Sequence, residues 1–337
     1  MPQFIIGQDL SQNMAQYDGR TAQSTHSVAR NSIKSGYHSL FGSSARAWVR
    51  QLPFLNPLFM LANPREARER ELEKLLAANR PTAVIKLPFG KIFVDVRDIG
   101  IGKPLFLDHE YEPAETAFMQ RFIQPGMVIL DIGANIGYFT ALATSRLKKS
   151  GVIHAFEPDP HNYSLLQKTV ADQKTNLVQL HHCALGDTNG TVELFHSPVD
   201  NYGDHRVYGS HSGTHPSVVV PMKIGDDLLA SIGTNAIDFI KIDVQGFEVQ
   251  VLRGLANTIK SSEKAVLLSE VWPSGMKSAG SSVEEFASLC ESFGFAPHAL
   301  LETGETRKIE WTDVLQFAGS VQKYCPDEGY FNIIGTK

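Results

Sequence analysis

From about residue 126 the chain alternates short apolar runs with amphipathic stretches. MVILDIG, GVIHAFE, LVQLHHC, AIDFIKID, KAVLLSEVW and EGYFNIIGT read as strands, apolar and bounded by glycine or polar turns. Between them, Ile136 to Leu147, His161 to Ala171, Glu248 to Leu255 and Val283 to Ser292 carry helical spacing. TVELF and SVVVPMKI add strands around an irregular loop rich in His and Gly. Upstream, AVIKLPFGKIFVDVRD (83–98) reads as a hairpin turning at Phe89-Gly90, and Glu115 to Ile123 as a helix stopped before Pro125-Gly126. Pro64 to Asn79 reads as a charged helix with Pro64 in its first turn and Leu72, Leu75 and Leu76 on one face.

Strands alternating with helices imply right-handed βαβ units, so the fold class is α/β with a doubly wound, mostly parallel Rossmann-like sheet. Such sheets bind ligands beyond the carboxyl ends of their strands, at the topological switch point. Residues 1–45 are polar and aperiodic, reading as a disordered or loosely packed arm. The segment 46–64, RAWVRQLPFLNPLFMLANP, is aromatic and broken by prolines; it suits packing on the main domain, a substrate lid or a partner-binding patch. The expected division is an N-terminal arm, 1–80, partly disordered or helical, and a catalytic domain, 81–337. The latter opens with a hairpin and helix (81–125) and continues as the catalytic sheet (126–337).

A chain of 337 residues, 42% hydrophobic and 20% charged, can bury a sizeable core. Its net charge of -5 argues against a nucleic-acid surface. Three widely spaced cysteines build neither a disulfide framework nor a zinc motif, so a reducing, cytoplasmic setting is expected. Neither a secretory signal nor an apolar run long enough to span a membrane is evident.

The informative stretch is VILDIGANIGYFT (128–140). Gly133 and Gly137 allow close backbone approach at a strand-to-helix turn, and Asn135 tolerates left-handed geometry. The following helix turns free N–H groups toward the crevice, a setting for a carboxylate. Glu157 ends the next strand, where an acid can accept bonds from both hydroxyls of an adenosine ribose. A nicotinamide dinucleotide and S-adenosylmethionine both fit that outline. Asp131 at the first bend would repel a pyrophosphate but suits a cationic ammonium and sulfonium, so charge favours the methyl donor. The competing reading is that Asp131 bonds backbone N–H groups of its own loop, and the two roles can coexist.

VILDIGANIGYFT, AFEPDP (155–160), CALGD (183–187) and FIKIDVQGFEVQVLRG (239–254) resemble, in order and spacing, the motifs of the FkbM-type methyltransferases. The resemblance covers roughly residues 110–300. It implies the class I methyltransferase fold, S-adenosylmethionine as cofactor, and O-methylation of a hydroxyl on a sugar or natural product. Residue by residue, Asp131, Gly133 and Asn135 would line the methionine end and Glu157 would hold the ribose. Asp187 would border adenine, unless it is simply a turn residue of GDTNG. Tyr111-Glu112 resembles a position near the cofactor, although Glu112 also suits a helix N-terminus. Gln245 departs from the pattern, since many members carry Glu there.

Asp243 ends the AIDFIKID strand, where class I methyltransferases place groups near the transferred methyl. Lys241 lies deeper in that strand and needs a partner, with Asp131, Asp243 and Glu270 as candidates; it reads as an electrostatic brace. Glu248 suits either helix-dipole pairing or substrate contact. Methyl transfer asks for positioning and a base. The expected catalytic residues are Asp243, Glu270 and His205, the last within Asp204-His205-Arg206, a string similar to one in some members. Asp200, His211 and His215 match no standard ligand spacing, so no metal is expected. The expected partner is a small-molecule hydroxyl acceptor, without nucleic acid or membrane insertion, and the 1–80 extension would shape the pocket or a homo-oligomer contact. The competing readings are a NAD-dependent oxidoreductase, a methyltransferase acting on a macromolecule, and a catalytically silent binding module.

Overall fold

The computed structural model describes residues 3–6, 64–197, 200–209 and 216–337. The expectations for 1–45 and 46–64 fall almost wholly outside those residues, as do those for His211 and His215. The chain forms two compact units: Ser11–Arg80, and Met1–Leu10 together with Pro81–Lys337. The described part of the first is helix α1 (Pro64–Ala77), with proline at its start, Glu66 in the first turn and Lys74 in the last, as the helix dipole favours. Leu72 is buried, whereas Leu76 is 44% exposed.

The second unit holds strands β1 (Gln3–Phe4), β2 (Thr82–Leu87), β3 (Gly90–Asp95), β4 (Val128–Ile132), β5 (Val152–Phe156), β6 (Val178–His181) and β7 (Ala184–Gly186). Then follow β8 (Gly190–Phe195), β9 (Ser217–Ile224), β10 (Phe239–Ile242), β11 (Val266–Val271), β12 (Ala296–Leu300), β13 (Thr306–Lys308) and β14 (Tyr330–Thr336). The main sheet runs β13-β12-β14-β11-β10-β4-β5-β6, with β1 beside β14. Strands β6, β5, β4, β10 and β11 are mutually parallel, and β14 runs antiparallel to β11 and β12. The chain winds outward from β4 to β6 and then returns to β10, so the strand order reverses between β4 and β10. This is the class I methyltransferase arrangement, a doubly wound sheet with a reversed last strand. The hairpin β2–β3 forms as expected, while TVELF and SVVVPMKI pair with each other and with β7 in a separate three-stranded sheet.

All four residues of β10 are buried, as a parallel strand covered on both faces requires. Burial of each apolar side chain there contributes about 1.5–3 kcal/mol, and Lys241 sits inside that row. Strand β12 and helix Trp311–Tyr324 have no counterpart in the sequence analysis. APHAL lacks β-branched residues and contains proline, so it gives no strand signal; its pairing with β14 makes it a strand. The helix does carry a signal, with Val314, Phe317, Ala318 and Val321 buried at helical spacing behind a capping box of Glu310 and Asp313. Among the described residues no helix is long and apolar enough to cross a membrane.

Candidate active site

A cavity of about 240 Å³ opens at the switch point, beyond the carboxyl ends of β4, β5 and β10. The turn after β4 takes three left-handed residues, Gly133 (φ 79°), Asn135 (φ 50°) and Gly137 (φ 86°). A Cβ on Gly133 would run into the carbonyl oxygen of Asp243, so glycine lets this turn press against the end of β10. Asn135 N–H donates to Glu157 Oε2 and Asp159 N–H to Oε1, both at 2.8 Å. Burial lifts the Glu157 pKa to about 8 despite these bonds. Asn135 Oδ1 and Asn162 Oδ1 are buried without partners, and both residues line the cavity.

The floor is acidic. Lys241 Nζ pairs with Asp243 Oδ2 at 2.9 Å and lies 4.7 Å from the centre of the Phe139 ring. Lys241 remains protonated: burial opposes its charge, but Asp243, Glu112 and Asp131 more than compensate. The Gln245 side-chain nitrogen donates to Asp243 Oδ1 at 3.0 Å and to Glu270 Oε1 at 3.4 Å. An amide here bridges two acids where a glutamate would add a third, a local reason for the departure at this position. Glu270 is held far above the usual carboxylate range by burial, then by the charges of Asp243, Glu248 and Glu112. Burial and the neighbouring Glu115 raise Glu112 to about 8, opposed by Lys241. Glu112 (φ 40°) and Gln245 (φ 54°) are both left-handed, a conformation costly for non-glycine residues and concentrated at functional sites. Tyr208 donates its hydroxyl to the Gln245 carbonyl and so braces that turn.

Residues 200–207 contribute the roof. Asp98 joins this segment to the hairpin side by accepting backbone N–H bonds from Gly100, Ile101, Gly102 and Tyr202. Arg206 forks onto Asp204 at 2.7 and 2.9 Å and covers the Trp272 ring at 4.3 Å. His205 accepts the Ser197 N–H at Nδ1, and burial lowers its pKa to about 4 although Asp159 opposes the shift.

Residues 131–295 match the methyltransferase FkbM domain. Over that stretch the chain is similar to the FkbM-type methyltransferases. It is 27% identical over 134 residues to the hexuronic acid methyltransferase AglP of Haloferax volcanii, covering 40% of this chain and 52% of that one. It is 26% identical over 201 residues to the 31-O-demethyl-FK506 methyltransferase FkbM of Streptomyces tacrolimicus, covering 51% of this chain and 75% of that one. The chain thus spans about half the length of the first of these relatives. A crystal structure of methyltransferase FkbM from Methylobacillus flagellatus aligns over 69% of this chain and 50% of its own at 17% identity, with a TM-score of 0.38, too low to carry weight.

Glu112, which precedes the matched residues, and Gly133, Asn135, Glu157, His205, Asp243 and Glu270 within them all line the cavity. Asp131, Gly137 and Asp187 do not. Asp131 lies behind the wall, opposite Lys241 in the β4–β10 register, with Thr140 Oγ1 donating to its Oδ2 at 2.5 Å. Gly137 caps the helix Tyr138–Leu147, and its Cα faces Leu166 and Thr169. Asp187 turns to Arg253 at 3.5 Å. Glu248 Oε1 accepts the Val244 and Gly246 N–H groups, which makes it a brace of the β10 turn. Asp200 is exposed, and its backbone carbonyl accepts the Ile99 N–H. Asn162, Tyr202 and Tyr330 also line the cavity without having been foreseen. Tyr330 comes from the last strand, and only the position of β14 beside β11 brings it here.

Proposed function

We propose that the protein is an S-adenosylmethionine-dependent O-methyltransferase acting on a small-molecule hydroxyl, that of a sugar or a natural product. The observation that carries this reading is the set of carboxyl groups that line the cavity. Glu112, Glu157, Asp243 and Glu270 line it, and among the described lining residues Lys241 is the one Lys or Arg, already paired. Burial raises Glu112, Glu157 and Glu270 toward their neutral forms, and a cation favours their ionisation where a pyrophosphate opposes it, so this acidic wall suits a cation. It also favours an uncharged acceptor over an acidic sugar, which sets this site apart from the substrate named for AglP.

The residues present suit the cofactor. The Gly133 turn allows close approach, and the orphaned oxygens of Asn135 and Asn162 can accept donors from a bound ligand. Glu157 stands ready to accept ribose hydroxyls. When bound, S-adenosylmethionine supplies a methyl group already activated by a sulfonium, which leaves the protein to orient the acceptor and take its proton. We assign the proton-accepting role to Asp243. Lys241 holds its charge in place, while burial keeps Glu270 neutral and able to donate a hydrogen bond; the pair thereby splits into base and donor. His205 suits this task less, because its Nδ1 lone pair accepts the Ser197 N–H.

Equilibrium binding of S-adenosylhomocysteine against NAD tests the cofactor assignment, and binding of NAD alone would overturn it. Asp243→Asn, assayed with labelled methyl donor on a panel of sugar and polyketide hydroxyl acceptors, tests the base. The expected result is retained cofactor binding with kcat reduced by about 10²–10⁴.

A further inference from the structure

We propose that Asp159, His196 and His205 form a binding site for a divalent first-row transition-metal ion, which fastens the cavity roof to the start of the helix Pro160–Asp172. The three side chains come from separate stretches, and their donor atoms lie within 4.8 Å of one another. Asp159 is the N-cap of that helix. Its Oδ1 accepts the His161 and Asn162 N–H groups at 2.9 Å, which leaves Oδ2 for other partners. His196 Nε2 lies 3.1 Å and His205 Nε2 3.9 Å from that one oxygen. Adjacent donors on a tetrahedral ion with bonds of about 2.0–2.1 Å stand about 3.3–3.4 Å apart, so these separations bracket the required value.

Two features mark the cluster as built for an ion. The imidazoles are held side by side before any ion arrives: Phe195 and Arg206 exchange backbone hydrogen bonds of 2.8 and 3.0 Å, and the rings of His196 and His205 stack with centroids 4.5 Å apart. In addition, His196 Nε2 is sealed from solvent and makes no hydrogen bond, despite its 3.1 Å approach to Asp159. A buried nitrogen pointed past a carboxylate oxygen, near it yet misaligned for a hydrogen bond, faces a point the two can share. Two imidazoles and one carboxylate select zinc, cobalt or nickel over calcium or magnesium.

Ligation through His205 Nε2 requires a proton on Nδ1, which then needs an acceptor in place of the Ser197 N–H. Ser197 Oγ is buried without a partner on that same residue and can supply it, the outer-sphere bond that metal-bound histidines make. A cysteine-poor chain offers no spacing signal for such a site. Loop closure alone assembles it.

The test uses the full chain, stripped with chelator and titrated with CoCl2 and ZnCl2. The expected result is one Co2+ per chain, with visible bands of low-coordinate nitrogen and oxygen ligation that Zn2+ bleaches, and a rise in Tm on adding Zn2+. His196→Ala should weaken binding at least tenfold. Asp159→Asn should do the same while keeping its helix cap, since asparagine caps as well as aspartate; it therefore carries the test should His196→Ala misfold. Sub-stoichiometric uptake, or equal affinity in wild type and Asp159→Asn, would overturn the proposal.

Discussion

Lys241 and Asp243 form an ion pair of 2.9 Å at the carboxyl end of β10, in a strand whose other side chains are apolar. The pair neutralises a lysine that is 4% exposed and fixes a carboxylate on the floor of the cavity. It also gives β10, otherwise a purely structural strand, its chemical end.

Lys241→Met is expected to destabilise the protein by about 3 kcal/mol, the low end of the range for breaking a buried pair, because the Asp243 side chain keeps 22% exposure. Denaturant unfolding measures this. A loss below about 1 kcal/mol would mean that Asp243 does not depend on the ammonium.

Gln245→Glu places a third carboxyl between Asp243 and Glu270. Burial and like charge raise its folded pKa, so the cost is absent below the unfolded value and grows as pH rises through the folded one. A rise of two pKa units corresponds to about 2.7 kcal/mol. Unfolding curves should match wild type below the unfolded pKa, diverge progressively between the two values and stay apart above the shifted one.

Glu112 titrates at about 8 in the folded protein against 4.5 ordinarily. Its stabilising contribution is therefore complete below 4.5 and lost as pH rises through 8, so Glu112→Gln should gain stability over wild type across that window. A cationic ligand prefers the ionised form, so S-adenosylmethionine affinity should rise toward pH 8 with up to about tenfold per pH unit, accompanied by proton release. Calorimetry in buffers of different ionisation enthalpy reads this. The dependence should flatten in Glu112→Gln.

Asp98→Ala strands the four backbone N–H groups of Gly100, Ile101, Gly102 and Tyr202. Leaving buried donors unmet costs about 1–3 kcal/mol each where water cannot reach them. Since these bonds hold the roof, KM should rise more than kcat falls. A variant with kinetics unchanged would show that the roof holds without them.

Gly133→Ala combines a left-handed φ of 79° with a Cβ directed at the Asp243 carbonyl. Strain and overpacking together should cost about 3 kcal/mol. Thermal unfolding decides this, and a soluble variant of unchanged Tm would show that the turn can move.

The sequence by itself determined the main sheet and the turn at its centre. Alternating apolar runs and amphipathic stretches are local properties, so β4, β5, β10 and β11 and their helices are legible from spacing. Gly133, Asn135 and Glu157 are equally legible, because a strand-to-helix turn places its residues by backbone geometry alone. Tertiary structure decided which carboxylates face the cavity. Asp131 ends the same strand as the turn yet lies behind the wall, since strand alternation turns it toward Thr140 and Lys241. Asp187 follows the same logic in reverse, drawn outward to Arg253. Tyr330 and the grouping of Asp159, His196 and His205 depend on residues distant in the chain meeting in space, through β14 pairing with β11 and the Phe195–Arg206 bridge. No local pattern encodes those meetings, because they arise from loop closure and burial across the whole fold.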